Sequence, residues 1–362
     1  MKILKYTTLV CLWLLLALSS SQAETSEALS IKAKGKETVE LRFNGRLQVQ
    51  YDGLSLSGNQ NPLDEPSTSH FYFRRLYFGA KAKLQNGIVG ESVFNFAGDS
   101  VSIDKAIIGH KFSNGVTGTV GYQKVPFGFE ETTSSSKLQT IERSAINRYF
   151  ADRIDFSGRH TGLFVKGKLD DGISYSFALG NGIQGEGSKL GGSSSKNNDL
   201  ASFARLQWKK DALISGIDYG NQANNEAVGD DVSAYTAYVN YSLDGVNLLG
   251  EYFSGDLGTQ GDVTGYALRA STRKGQYEPV IRYAVAEADS FDIDTDELIR
   301  RAPNVSEIDG TDNEIESLYV GLNYYYSKSV SFMFGYEQAE AKNLEGDKSE
   351  VDGVRARIQV LW

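Results

Sequence analysis

From Leu41 to Tyr51 every odd position is apolar or Gly and every even one is polar. At the other end of the chain, Val354, Ala356, Ile358, Val360 and Trp362 alternate against Arg355, Arg357 and Gln359. A period of two lays all apolar side chains on one face of a strand. Strands in soluble sandwiches average about 5–6 residues, whereas tilted strands that cross a bilayer need about 9–11. Sixteen segments of the longer kind are readable: 40–51, 70–85, 88–97, 101–112, 116–125, 160–169, 173–182, 200–210, 213–219, 232–243, 246–255, 263–274, 277–287, 315–326, 330–341 and 350–362.

The links between these segments alternate in length. Tight turns such as Asn86-Gly87, Asn114-Gly115 and Asp244-Gly245 carry the positive-φ chemistry of short hairpins. Longer links lie between them at 52–69, 126–159, 183–199, 220–231, 256–262, 288–314 and 342–349, and 98–100 alone departs from the rule. Short turns on one side and long loops on the other predict an all-β protein, a sixteen-stranded antiparallel transmembrane β-barrel with both termini on the periplasmic side. Tyr51, Tyr122, Tyr175, Trp208, Tyr241, Tyr252, Tyr266, Tyr283, Tyr324, Tyr326, Phe332, Phe334, Tyr336 and Trp362 share the apolar parity, as interfacial aromatic girdles would.

The N-terminus reads differently. Lys2 and Lys5 precede an apolar run from Leu9 to Leu18, and small residues follow up to Ala23. This is the pattern of a cleaved export signal over residues 1–23, with Glu24 as the first mature residue. Residues 24–39 form a polar lead-in, either irregular or adding a strand, and 40–362 form the barrel. Cys11 leaves with the signal, so the mature chain has no cysteine.

Composition narrows the function classes. With 46 acids against 37 bases the formal net charge is −9, which excludes a nucleic-acid binder, since that needs a basic footprint. One Cys and three His argue against a zinc or His-rich metal centre, and no cofactor is expected. The acidity is concentrated in the long links: 288–313 holds eight acids and two bases, and 52–69 and 220–231 contribute −3 each.

The polar parity of the strands tells the opposite story. It carries sixteen bases: Arg42, Arg46, Arg75, Lys81, Lys83, Lys105, Lys111, Lys166, Lys168, Arg205, Lys209, Arg269, Arg273, Arg282, Arg355 and Arg357. Against these stand six acids, Glu40, Glu91, Asp218, Glu251, Glu278 and Glu337, an excess of ten positive charges on the wall facing water. Such a lining lowers the barrier for anions. The link 126–159 has more aromatic and charged residues than a solvated exterior loop needs. As the third long-side loop it is expected to fold inward and set the constriction. Lys124, Lys137, Arg143, Arg148 and Arg153 are its candidate anion contacts, positioned by Glu130, Glu131 and Glu142. The alternative is an exterior loop whose charges pair among themselves.

Several stretches resemble the phosphate-selective porin O and P family of outer-membrane channels. They are Phe73–Gly79, Asp104–Lys111, Gly121–Gly128, Glu130–Ser136, Ile141–Ser144 and Arg159–Leu163. The resemblance implies a homotrimer of sixteen-stranded barrels in the bacterial outer membrane, passing phosphate or polyphosphate along an arginine ladder and a lysine cluster. By the same resemblance Arg74, Arg75 and Lys124 match the motif positions most directly. His110 and the terminal Trp362 stand where the family pattern leads us to expect another aromatic and Phe. The partners implied are inorganic anions or small hydrophilic solutes, together with outer-membrane lipid and lipopolysaccharide.

Two other functions are weighed. A non-selective diffusion porin would share every feature of the barrel. An outer-membrane hydrolase would need His70, His110 or His160 beside an activated Ser, and no nucleophile-elbow signature accompanies any of them. Asp292, Asp294 and Asp296 have the spacing of a calcium loop, but Glu297 replaces its Gly and Pro303 its last ligand. A loose divalent-cation bridge to lipopolysaccharide is all this loop could offer.

Overall fold

A computed structural model describes residues 30–33, 39–58, 67–84, 86–98, 100–169, 171–289, 312–343, 346 and 348–362. The predicted signal segment and most of the acidic link 288–313 lie outside the described residues. The strands are β1 (Ser30–Ala33), β2 (Val39–Gly58), β3 (Ser67–Leu84), β4 (Ile88–Asn95), β5 (Ser102–Lys111) and β6 (Thr117–Lys124). Then follow β7 (Arg159–Lys168), β8 (Ile173–Asn181), β9 (Leu200–Lys210), β10 (Leu213–Asn225), β11 (Asp230–Leu243) and β12 (Val246–Asp256). The last are β13 (Asp262–Thr272), β14 (Tyr277–Ala288), β15 (Asp312–Tyr325), β16 (Val330–Asn343) and β17 (Lys348–Leu361).

Each strand from β2 to β17 pairs antiparallel with its sequence neighbours, and β17 returns to β2 in the register Ser349↔Gly58 to Leu361↔Arg46. The sheet therefore closes into a sixteen-stranded barrel with no free edge, the only way strands can satisfy their backbone groups in lipid. β1 pairs with β2 over Val39 to Arg42, past the point where β17 ends. Closure begins in the turns: Asp244 and Gly245 both take positive φ, 49° and 83°, the twist that suits a two-residue hairpin.

The side chains are sorted inside out. Ile217 is 53% exposed while its neighbour Asp218 is 1% exposed, and Ile281 and Arg282 repeat the contrast at 48% and 1%. Apolar groups turned outward and charges turned inward fit a hydrocarbon surround. Aromatic contacts run along the outer face, from Tyr277 through Tyr324 to Phe332 and between Tyr266 and Tyr283.

The strands match the predicted segments, and several run further on the long-loop side. β2 continues to Gly58 and β10 to Asn225, so much of links 52–69 and 220–231 is paired strand. Backbone pairing needs no apolar face, so it outlasts the alternation beyond the membrane. Asp52, counted in the sequence with an exterior link, instead lies inside the barrel on β2. Two of the four register shifts among the described strands bear on the charged wall. Gln48 pairs with Arg75 and Val49 with Phe73, leaving Arg74 as the extra residue. Val93 pairs with Lys105 and Phe94 with Ile103, leaving Asp104. Each bulge sets two adjacent charged or polar side chains at one level of the wall.

Candidate functional site

Between β6 and β7 the chain forms α1 (Phe129–Thr132), α2 (Ala145–Arg148) and a π-turn (Tyr149–Arg153). Elements this short cannot hold their shape alone; the barrel wall supplies the missing partners. The main-chain N–H of Gly128 donates to Asp218 (2.9 Å), and those of Phe129 and Glu130 donate to Glu251. Gln48 and Gln359 donate to the carbonyls of Ser135 and Ser136, both at 3.2 Å, and Asn323 donates to that of Gln139 (2.9 Å). Asn225 donates to the carbonyl of Ile154 (2.9 Å). These partners come from β2, β10, β12, β15 and β17, all with their polar sides toward the segment.

An apolar cluster adds a second grip. Phe127 touches Phe150, Phe156, Phe203 and Phe253, with ring centroids 5.3–6.3 Å apart. Ile146, Ile154, Val232, Ala234, Val263, Ala286, Ile315, Ala339 and Val351 are among the residues that extend the cluster. Sequence reading missed this inward apolar surface because parity assigned the whole inner wall to water. The available signal was that the inward parity turns small or apolar toward the long-side ends: Val232 and Ala234 on β11, Ala284, Ala286 and Ala288 on β14, Ala339 and Ala341 on β16.

On the other side of the segment lies a cavity of about 560 Å³, walled by β2–β7 and by residues of 131–152. Eight cations line it: Arg46, Arg74, Arg75, Lys105, Lys124, Arg143, Arg148 and Arg159, against the five carboxylates Glu91, Asp104, Glu131, Glu142 and Asp152. Most of these charges are paired. Arg74 lies 2.6 Å from Glu142, Lys105 2.9 Å from Glu91, and Arg159 2.6 Å from Asp104. Glu131 receives Lys124 at 2.6 Å and Arg143 at 3.0 Å. Arg143 also donates to the carbonyls of Glu130, Glu131 and Thr133, clamping the turn after α1.

Two cations have softer partners. Arg46 donates to the hydroxyls of Ser134 and Ser135 and stands over the Tyr77 ring. Arg75 donates to the Gln48 side-chain carbonyl at 2.9 Å. Burial raises the carboxyl of Glu131, but Arg143 and Lys124 outweigh it and bring the group down to about 2. For Glu142 burial is likewise overcome by Arg74 and Arg357, and the carboxyl sits well below its ordinary range.

The sequence-predicted contacts thus separate. Arg46, Arg74, Arg75, Lys124, Arg143 and Arg148 meet in one cavity. Arg42 pairs with Glu40, and Lys81 and Lys83 are exposed near the periplasmic end of β3. Lys137 is exposed, and Arg153 lies in the π-turn away from the cavity. Arg269 is buried and donates to Asn247 (3.1 Å), while Arg273 lies 4.0 Å over the Tyr325 ring. Arg282, Arg355 and Arg357 are buried in ion pairs with Glu337, Asp52 and Glu142. Arg159, part of the Arg159–Leu163 stretch, reaches the cavity beside Lys124 and pairs with the bulged Asp104. The histidines have other work: His160 sits between the carbonyl oxygens of Asn181 and Phe156, and His70 stacks on Tyr72.

A closed barrel, an inward charged wall and this cavity are what a diffusion channel needs. Residues 41–199 match the family model described as Phosphate-selective porin O and P. Over that stretch the chain is similar to this porin family. Its fold is also that of solved porins. The anion-selective porin from Comamonas acidovorans superposes with a TM-score of 0.63 at 13% identity, covering 90% of this chain and 100% of that one. The outer-membrane channel DcaP of Acinetobacter baumannii gives 0.63 at 10% identity, with 90% and 97% covered. OmpF of Salmonella typhi, solved with daunomycin, gives 0.60 at 13% identity, with 92% and 100% covered. No curated protein matches the chain. The partial family match and the fold both point to an outer-membrane diffusion channel.

Proposed function

We propose that the porin passes small anions by passive diffusion, with the segment 126–158 folded into the lumen as its constriction and phosphate-like oxyanions favoured. One observation carries this reading: eight cations against five carboxylates around a single cavity bounded by that segment. A surplus of three positive charges in a narrow low-dielectric passage raises the local anion concentration. Among the described residues Arg46 and Arg75 are the chamber cations with no carboxylate partner, so a passing oxyanion can engage them without breaking an ion pair. The anion-selective porin from Comamonas acidovorans shares the fold and lends the reading weight. A homotrimer belongs to the same proposal, in keeping with the trimer form of OmpT from Vibrio cholerae, which has this fold. Solutes would reach it from the cell exterior across lipopolysaccharide.

A second reading, a general diffusion porin of weak selectivity, is favoured by the pairing of most chamber cations with carboxylates. Reversal potentials in a KCl gradient across a planar bilayer separate the two. The anion reading expects a chloride-preferring sign and block of chloride current by millimolar phosphate. A cation-preferring sign, or no block, refutes it.

A further inference from the structure

The charged chamber opens outward into a second cavity of about 400 Å³, and the two share Glu131, Asp152 and Arg159. The outer cavity carries four carboxylates, Glu131, Asp152, Asp155 and Glu226, against only Arg159 and Lys189. Lys189 is spent on the segment itself, 2.9 Å from Asp155 and 2.8 Å from the carbonyl of Ser157. With the shared Glu131, Asp152 and Arg159 counted in each, the outer cavity has two more carboxylates than cations, whereas the inner chamber has three more cations than carboxylates. Such an arrangement costs a polyphosphate more at the outer cavity than a phosphomonoester, whose charge is only about −2 at neutral pH.

The chamber is also larger and more hydroxylated than a bare oxyanion requires. Its volume falls in the range of about 300–1,000 Å³ that holds small organic ligands. Five consecutive hydroxyl residues, Thr132 to Ser136, line one side. The guanidinium of Arg46 is divided between two of them, Ser134 and Ser135, so an anionic head placed on Arg46 would lie against hydroxyls. The chamber carboxylates, acceptors only when ionised, can take hydrogen bonds from hydroxyls of a solute.

We propose that the preferred solute is a phosphomonoester of a small polyol or sugar, with its phosphate at Arg46 and Arg75 and its hydroxyls on the Thr132–Ser136 rim and the carboxylates, rather than orthophosphate or a polyphosphate. The proposal rests on the anion-preferring reading above and names its substrate class. The test uses the full mature chain in planar bilayers at neutral pH. Half-blocking concentrations of chloride current are compared for glycerol 1-phosphate, glucose 6-phosphate, orthophosphate, tripolyphosphate and glucose.

Glucose 6-phosphate should block at about tenfold lower concentration than orthophosphate or tripolyphosphate, as one or two net hydrogen bonds would give. The double variant Ser134→Ala, Ser135→Ala should cut its advantage over orthophosphate by about fivefold, a ratio insensitive to overall conductance. Strongest block by tripolyphosphate, or equal block by glucose and glucose 6-phosphate, overturns the proposal. So does an unchanged ratio in the variant; if that variant does not fold, the wild-type series decides alone. A chloride-selective channel with no phosphomonoester preference defeats this inference and leaves the anion reading standing. A cation-selective channel defeats the anion reading itself.

Discussion

Arg46 and Arg282 are both inward-facing arginines of the same barrel, and they do opposite things. Arg282 is buried, 2.6 Å from Glu337, and donates to the carbonyl of Glu142. Glu337 also takes Arg355, which reaches Asp52, so the charges on β14, β16, β17 and β2 form one dry chain against the segment 126–158. Among the described residues Arg46 has hydroxyls and a ring for partners, and it faces the 560 Å³ chamber. The difference teaches that a count of lumen bases does not give the field a solute meets. Partnering divides them into cations that hold the segment and cations that remain available to a passing ion.

The sharpest way to break the holding side is Glu337→Gln. It strips the carboxylate from two buried guanidinium groups, and a broken buried pair costs about 3–5 kcal/mol. Urea unfolding of the refolded barrel should show that loss in its midpoint. A cost under about 1 kcal/mol would mean the chain is hydrated and not a lock. Next comes Phe127→Ala, which empties the centre of four ring contacts and should cost about 3 kcal/mol. Because it frees the segment without touching a charge, the same variant should give noisier single-channel currents of unchanged ion preference. Arg46→Ala tests the other side. It loses two hydroxyl contacts, about 1 kcal/mol of stability, yet should lower the chloride-to-potassium permeability ratio by about threefold. If Arg282→Met moved that ratio more than Arg46→Ala did, the division between the two would be wrong.

How far the sequence showed this division can be argued from single residues. The strands were legible because lipid on one side and water on the other impose a period of two, and Ile217, Val239, Leu268 and Ile281 obey it. Asp52 was misplaced because pairing continues above the bilayer, where no apolar face marks it. Arg74 and Asp104 have no parity, being the extra residues of bulges that only the register reveals. The pairing of Arg357 with Glu142 joins positions far apart in the chain, so no local spacing encodes it. The third segment was legible as unusual from its composition. That its aromatic residues would need an apolar partner on the wall follows from burial, which the strand pattern does not state.

The smallest expected effect concerns Glu131, the carboxylate through which the segment meets both Lys124 and Arg143. Burial pushes its pKa up, but the two cations bring it to about 2, below the ordinary 4.5. A carboxyl lowered on folding contributes stability that is complete above its unfolded value and is lost as pH falls through the folded one. The clamp on the segment should therefore hold from neutral pH to about 4.5 and weaken only toward pH 2. The same protonation removes one of five chamber carboxylates, so anion preference should rise as the segment loosens. Reversal potentials at pH 6, 4 and 2.5 read both effects. A midpoint near 4.5 would show Glu131 behaving as a solvated carboxylate, which would move it from the holding charges to the available ones and enlarge the negative part of the passage.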